Sequence, residues 1–212
     1  MNESIHPLAK KTIVWYLAAA SLVLILMMVF GVIMLMNQGN MISLTPQWFY
    51  KIMTAHGTGM IGIAALGGTA ILWYFLSRYV KLNPAILIVN FALFFIGVAM
   101  VLIAIFVFHF SDGWTFLYPL PSQSAKLYGA AGALFFLSGM LILGIGFLIL
   151  YMYLAARLTK VYGGLGKALG WDIIFRGKEG YGPPAAVVAT AMVISPTRQL
   201  FWQEQRYSSP HF

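Results

Sequence analysis

The sequence predicts an all-α fold: a polytopic membrane helix bundle with four full transmembrane helices and a short fifth apolar segment. Three observations predict it. Of the 212 residues, 61% are hydrophobic and 8% charged, with a mean hydropathy of +0.85, where a soluble domain carries about 25% charged residues. Apolar runs of membrane-crossing length recur along the chain; about 20 apolar residues suffice to cross a hydrocarbon core of roughly 30 Å. The basic residues collect at the ends of those runs, where membrane topology puts them. The formal net charge of +8 is therefore read as a topology signal and not as a nucleic-acid footprint. Cys is absent, which excludes disulfides, thiolate ligands and iron–sulfur clusters.

The first helix is expected over residues 12–36, after a polar lead that holds His6, Lys10 and Lys11. Its apolar run exceeds the roughly 7–15 residues of a signal-peptide core, and no small-residue cleavage pattern follows, so it reads as a retained helix. Trp15 and Tyr16 are expected at the interface as amphipathic rings. The uncharged link NQGNMISLTPQ leads to a second helix over 46–76, with Thr45 as N-cap and Pro46 in the first turn. Trp48, Phe49 and Tyr50 are expected to form one aromatic belt, and Trp73, Tyr74 and Phe75 another. A short basic link, SRYVKLNP, precedes a third helix over 85–110, with Asn90 as its main polar interruption.

Residues 111–126, SDGWTFLYPLPSQSAK, form an aromatic loop marked by Asp112-Gly113, Pro119 and Pro121. A fourth helix is expected over 127–158, with glycines that permit close helix approach. The link TKVYGGLGKALGWDIIFRGKEGYG is polar, basic and glycine-rich; its GGLGKALG lacks the spacing and the Lys-Ser/Thr pair of a phosphate-binding loop. A partial fifth segment over 183–195 is too short to span. Residues 1–195 are thus the bundle, and 196–212 a polar tail. Lys10, Lys11, Arg78, Lys81, Arg157, Lys160, Lys167, Arg176 and Lys178 fall on one side of four crossings. The positive-inside rule makes that side, and the N-terminus, cytoplasmic, in a multi-pass protein of the plasma membrane.

One residue stands out chemically. His56 lies inside the second helix, in MTAHGTGMIG, with Gly57, Gly59 and Gly62 around it. An ionisable group within a membrane helix needs a partner, and neutral imidazole is a common iron ligand. Small neighbours let a flat ring approach the backbone. His56 and Gly59 are therefore candidate haem contacts, set beside the plainer reading of a histidine hydrogen-bonded within a bundle. His109, at the outer end of the third helix, is either a second ligand facing His56 or an interfacial capping residue.

MTAHGTGMIG on a second helix resembles the low-spin haem ligand segment of subunit I of the haem-copper oxidases. DGWTFLYPLPS, between the third and fourth helices, resembles that family's aromatic loop, with Pro119-Leu120-Pro121 standing where Pro-Pro-Leu is usual. The resemblance covers residues 12–195 and implies that His56 is one axial ligand of the low-spin haem. It also implies that Trp114 and Tyr118 pack near the haem and copper site, a role set beside ordinary interfacial anchoring. SRYVKLNP and the fourth helix hold no carboxylate, so the chain looks like the B-type branch and no proton route through this part is supported. Family members have about twelve helices. The second haem ligand, the copper histidines and the high-spin haem ligand lie on later ones, so copper is not expected on this chain, which looks like the N-terminal third of a subunit I.

The implied partners are a polypeptide carrying the remaining helices, a subunit II-like protein, an electron donor (a cytochrome c, a copper protein or a quinol) and the lipid bilayer. The implied reaction is oxygen reduction by a cytochrome c oxidase-type oxidoreductase. A nitric oxide reductase-like subunit and a non-catalytic assembly protein that keeps the fold are the alternatives.

Overall fold

The computed structural model describes residues 5–111, 125–176 and 182–194. Among them there are helices and no strands: α1 (Pro7–Gln38), α2 (Pro46–Leu76), α3 (Pro84–Phe106), α4 (Ala125–Tyr162), α5 (Leu165–Ala168), α6 (Trp171–Arg176) and α7 (Ala185–Ile194). Four of these, α1 to α4, are long and apolar enough to cross a membrane, and α7 is a shorter apolar helix. The chain is a multi-pass membrane helix bundle.

The helix ends follow from capping chemistry. α1 begins at Pro7, earlier than expected, because the His6 imidazole accepts the Leu8 N–H at 3.2 Å and Pro7 sits where no N–H is needed. Thr45 stands at the N-cap of α2 but its side chain makes no capping bond. Asn83 does cap α3, accepting the Ala85 N–H at 3.0 Å. α3 stops at Phe106, short of the expected end. The Phe110 N–H returns to the Ala104 carbonyl at 2.9 Å, and His109 takes a left-handed φ of 62°. α4 breaks at Gly129, whose φ of 64° belongs to the region that glycine enters without steric cost. The expected polar link after α4 instead forms the two short helices α5 and α6.

α1 packs on α2 and α3 packs on α4, giving two antiparallel hairpins. The second is set by glycine: a Cβ on either Gly97 or Gly139 would stand 2.7 Å from the other residue's carbonyl oxygen. Only a hydrogen fits there, so the two backbones meet. At the basic end, Arg157 donates from Nε and Nη2 to the Lys81 carbonyl at 3.1 and 2.7 Å. Tyr153 Oη accepts the Asn83 N–H at 2.6 Å. Arg157, expected only to set topology, thus ties α4 to the α2–α3 link.

Two interfacial expectations are corrected. Tyr16 is fully buried, its hydroxyl 2.6 Å from Asn90 Oδ1 and 3.1 Å from the Leu87 carbonyl, while Trp15 remains 59% exposed. Successive helix residues point about 100° apart, so one ring of the pair faces lipid and the other the core. The buried hydroxyl finds the partner that Asn90 also requires. Trp73 is likewise no belt residue: it is buried and stacks on Tyr153 with centroids 6.3 Å apart. The larger apolar core joins α1, α2, α3, α4, α5 and α7 through Tyr16, Trp73, Leu87, Leu154, Ala168 and Val187. A smaller core near the opposite end holds Ala55, Ile105, Phe110 and Phe136.

Candidate functional site

His56 is the eleventh residue of α2, about 15 Å along the helix from Pro46 at 1.5 Å per residue. Its ring turns toward α1. Nδ1 lies 2.8 Å from the backbone oxygen of Met27. That approach needs Gly31 one turn further along α1, since a Cβ there would sit 3.3 Å from His56 Cε1 and 3.9 Å from Nδ1. The imidazole is therefore held against the bare backbone of the neighbouring helix.

The contact fixes the chemistry of the ring. A carbonyl oxygen only accepts, so Nδ1 carries the proton and Nε2 keeps its lone pair. No described residue bonds to Nε2. Histidines that ligate metals are oriented in the same way, the remote nitrogen donating to a carbonyl or carboxylate and so fixing the tautomer. Met27 and Gly31 were not singled out by sequence reasoning. Within one unbroken apolar run, nothing marks a backbone carbonyl as an acceptor for another helix.

Gly59, proposed from sequence as a cofactor contact, packs against the same residue: a Cβ there would fall 2.2 Å from Met27 Sδ. Met27 thus engages α2 twice, by its carbonyl at His56 and by its thioether at Gly59. A thioether on three rotatable bonds re-packs readily. Gly62 faces α3, where a Cβ would meet Phe94 Cζ at 3.4 Å. Met53 and Met60, at the i−3 and i+4 positions of His56, share its face of α2 and are exposed. The helix face that carries His56 is thus apolar and flexible, a surrounding suited to a flat, mostly apolar macrocycle. Among the described residues no three His, Cys, Asp or Glu side chains converge. A single imidazole suits a metal whose other ligands come from a porphyrin.

His56 and His109 are not brought together. His109 Nδ1 lies 2.5 Å from Lys51 Nζ. Lys51 is 2% exposed and its ammonium also sits 4.6 Å from the centroid of the Trp48 ring, a cation–π distance. An ammonium only donates, so His109 accepts with its neutral ring. Nothing in the spacing of Lys51 along the sequence distinguishes it from an ordinary lysine near a helix end. Trp114 and Tyr118 lie outside the described residues.

The family model described as cytochrome c and quinol oxidase polypeptide I matches residues 11–174, which take in α1 from its second turn, the whole of α2 to α4, His56 and the aromatic loop. Searches of curated proteins and of solved structures returned no match. Members of this family are membrane oxidoreductases that act within a larger oxidase complex. The extent of the match, together with the four-helix architecture, shows that the chain belongs to the cytochrome c and quinol oxidase polypeptide I family.

Proposed function

We propose that this chain supplies one axial ligand of the low-spin haem of a terminal respiratory oxidase, through Nε2 of His56. A haem held there would supply a one-electron iron couple, suited to a cytochrome c, a copper protein or a quinol as donor and to an oxygen-reducing haem–copper centre elsewhere in the enzyme as acceptor. The observation that carries this reading is the Nδ1 contact to the Met27 carbonyl at 2.8 Å, which presents a bare Nε2 in a fixed orientation. Met27 holds the tautomer, and hydrogen bonding from Nδ1–H raises the basicity of the ligating nitrogen. Gly31 gives the ring its seat on α1. Gly59 gives the Met27 thioether its seat on α2 beside His56, and Met53 and Met60 make the exposed face there apolar. Trp114 and Tyr118 are proposed as further cofactor contacts on the resemblance of their loop alone. Other helices of the complex would supply the remaining protein contacts to the group.

The test is the visible spectrum of the assembled complex carrying His56→Ala. The low-spin bis-histidine band is expected to vanish, with electron transfer to oxygen lost. An unchanged band in that variant refutes the assignment and favours a non-catalytic member that keeps the fold.

A further inference from the structure

The segment after α4 holds a site that the haem reading does not use. Its inner side is anchored. Ala168 and Leu169 enter the main core beside Leu158 and Val187. Gly170 lies where a Cβ would meet Pro183 at 3.7 Å, and Gly182 where one would meet Ile173 at 3.1 Å. The outer side of α6 carries Trp171, Ile174 and Phe175, which are 50%, 71% and 78% exposed. Their i, i+3, i+4 spacing puts them on one face. The segment lies between the end of α4, where Arg157 meets the Lys81 carbonyl, and the start of α7. That is the depth at which chain leaves and re-enters a bilayer. Short amphipathic helices at this depth lie in the headgroup region with their apolar face toward the acyl chains, and Trp favours the same level.

A cavity of about 480 Å³ opens on this face, lined by Gly163, Gly164, Lys167, Trp171, Asp172 and Phe175. Lys167 and Asp172 both line it without forming an ion pair with each other. Asp172 is the one carboxylate side chain among the described residues, so its position here is not the accident of an acid-rich surface. Among the described lining residues, one cation and one anion that are not paired with each other, in a cavity with aromatic walls, match a ligand that is itself a dipole. An anionic headgroup would satisfy Lys167 and be repelled by Asp172.

We propose that this cavity binds a zwitterionic phospholipid, its phosphate on Lys167, its ammonium on Asp172, and its acyl chains along Trp171, Ile174 and Phe175. The site is independent of His56. The experiment is native mass spectrometry of the assembled complex released from nanodiscs of equimolar phosphatidylethanolamine and phosphatidylglycerol. Phosphatidylethanolamine is expected to be retained over phosphatidylglycerol by about tenfold, the size of one charge-assisted hydrogen bond. Asp172→Asn should abolish the preference, Asp172→Glu should keep it, and Lys167→Gln should lower retention of both lipids. Millimolar glycerophosphoethanolamine should not displace the lipid, because it lacks the chains. Equal retention of the two lipids by the unmodified complex overturns the proposal. So does an unaltered preference in Asp172→Asn, or full displacement by the free headgroup. Brominated acyl chains should quench a fluorescence component that Trp171→Phe removes; an unquenched Trp171 would mean that protein, not lipid, covers α6.

Discussion

At the scale of single residues, the account turns on one carbonyl and one missing methyl group. Met27 O already takes the Gly31 N–H in the regular helix pattern, and its second lone pair is free for His56. Gly31→Val would thrust branched carbon into the 3.3 Å approach of His56 Cε1 and tilt the ring off its acceptor. Loss of such an orienting partner typically costs 10–100-fold in metal affinity. Haem retention by a Gly31→Val complex is therefore expected to fall by about that factor, measured by pyridine haemochrome assay against protein concentration. Retention equal to the parent would show that Nδ1 needs no fixed acceptor. His56 itself was legible from sequence because an imidazole in a membrane helix is conspicuous. Its acceptor was not, because a backbone carbonyl has no letter of its own. The same limit hid the roles of Tyr16 and Lys51. A hydrophobic run without polar-face contrast does not say which residue of an adjacent aromatic pair faces lipid.

At the scale of elements, the long helices were readable because length and hydropathy agree, with Thr45-Pro46 marking the start of α2; the start of α1 at Pro7 was not read. The ends of α3 and α4 were not, since His109 and Gly129 adopt left-handed backbone under local constraints that a hydropathy window averages away. Glycines scattered on α4 signalled close packing without naming the partner. The structure selects Gly139, which meets Gly97 of α3, and Gly146, where a Cβ would meet Leu93 Cβ at 3.2 Å. Gly144 meets nothing within 4 Å. Gly139→Leu should drive α3 and α4 apart at a cost of about 1–3 kcal/mol, the range for overpacked cores, whereas Gly144→Leu should be near neutral. Thermal unfolding of the two variants in the same detergent distinguishes them, and equal melting temperatures would contradict the crossing described.

At the scale of the whole molecule, two hairpins share few contacts with each other, and broad apolar faces of α1 and α2 lie open. Some of that surface meets lipid. The part beside His56 is where the family's oxidase complex would close over the site. The chain expressed alone is therefore expected to bind haem weakly and substoichiometrically, and co-expression with the remaining oxidase helices should restore one low-spin haem per complex. Stoichiometric, dialysis-resistant haem in the isolated chain would show that it completes the site unaided. The sidedness drawn from lysines and arginines predicts a cytoplasmic N-terminus. Membrane-impermeant labelling of a cysteine introduced at Asn2 in intact cells checks it, with labelling from outside as the contrary result.

One bond decides whether His56 is a ligand, and a density map of the assembled complex would show it. A porphyrin is expected beside α2 with its iron joined to His56 Nε2, while Nδ1 stays on the Met27 carbonyl. A map in which that ring keeps its contact to α1 but faces only lipid or protein, with no tetrapyrrole next to it, would contradict the claim.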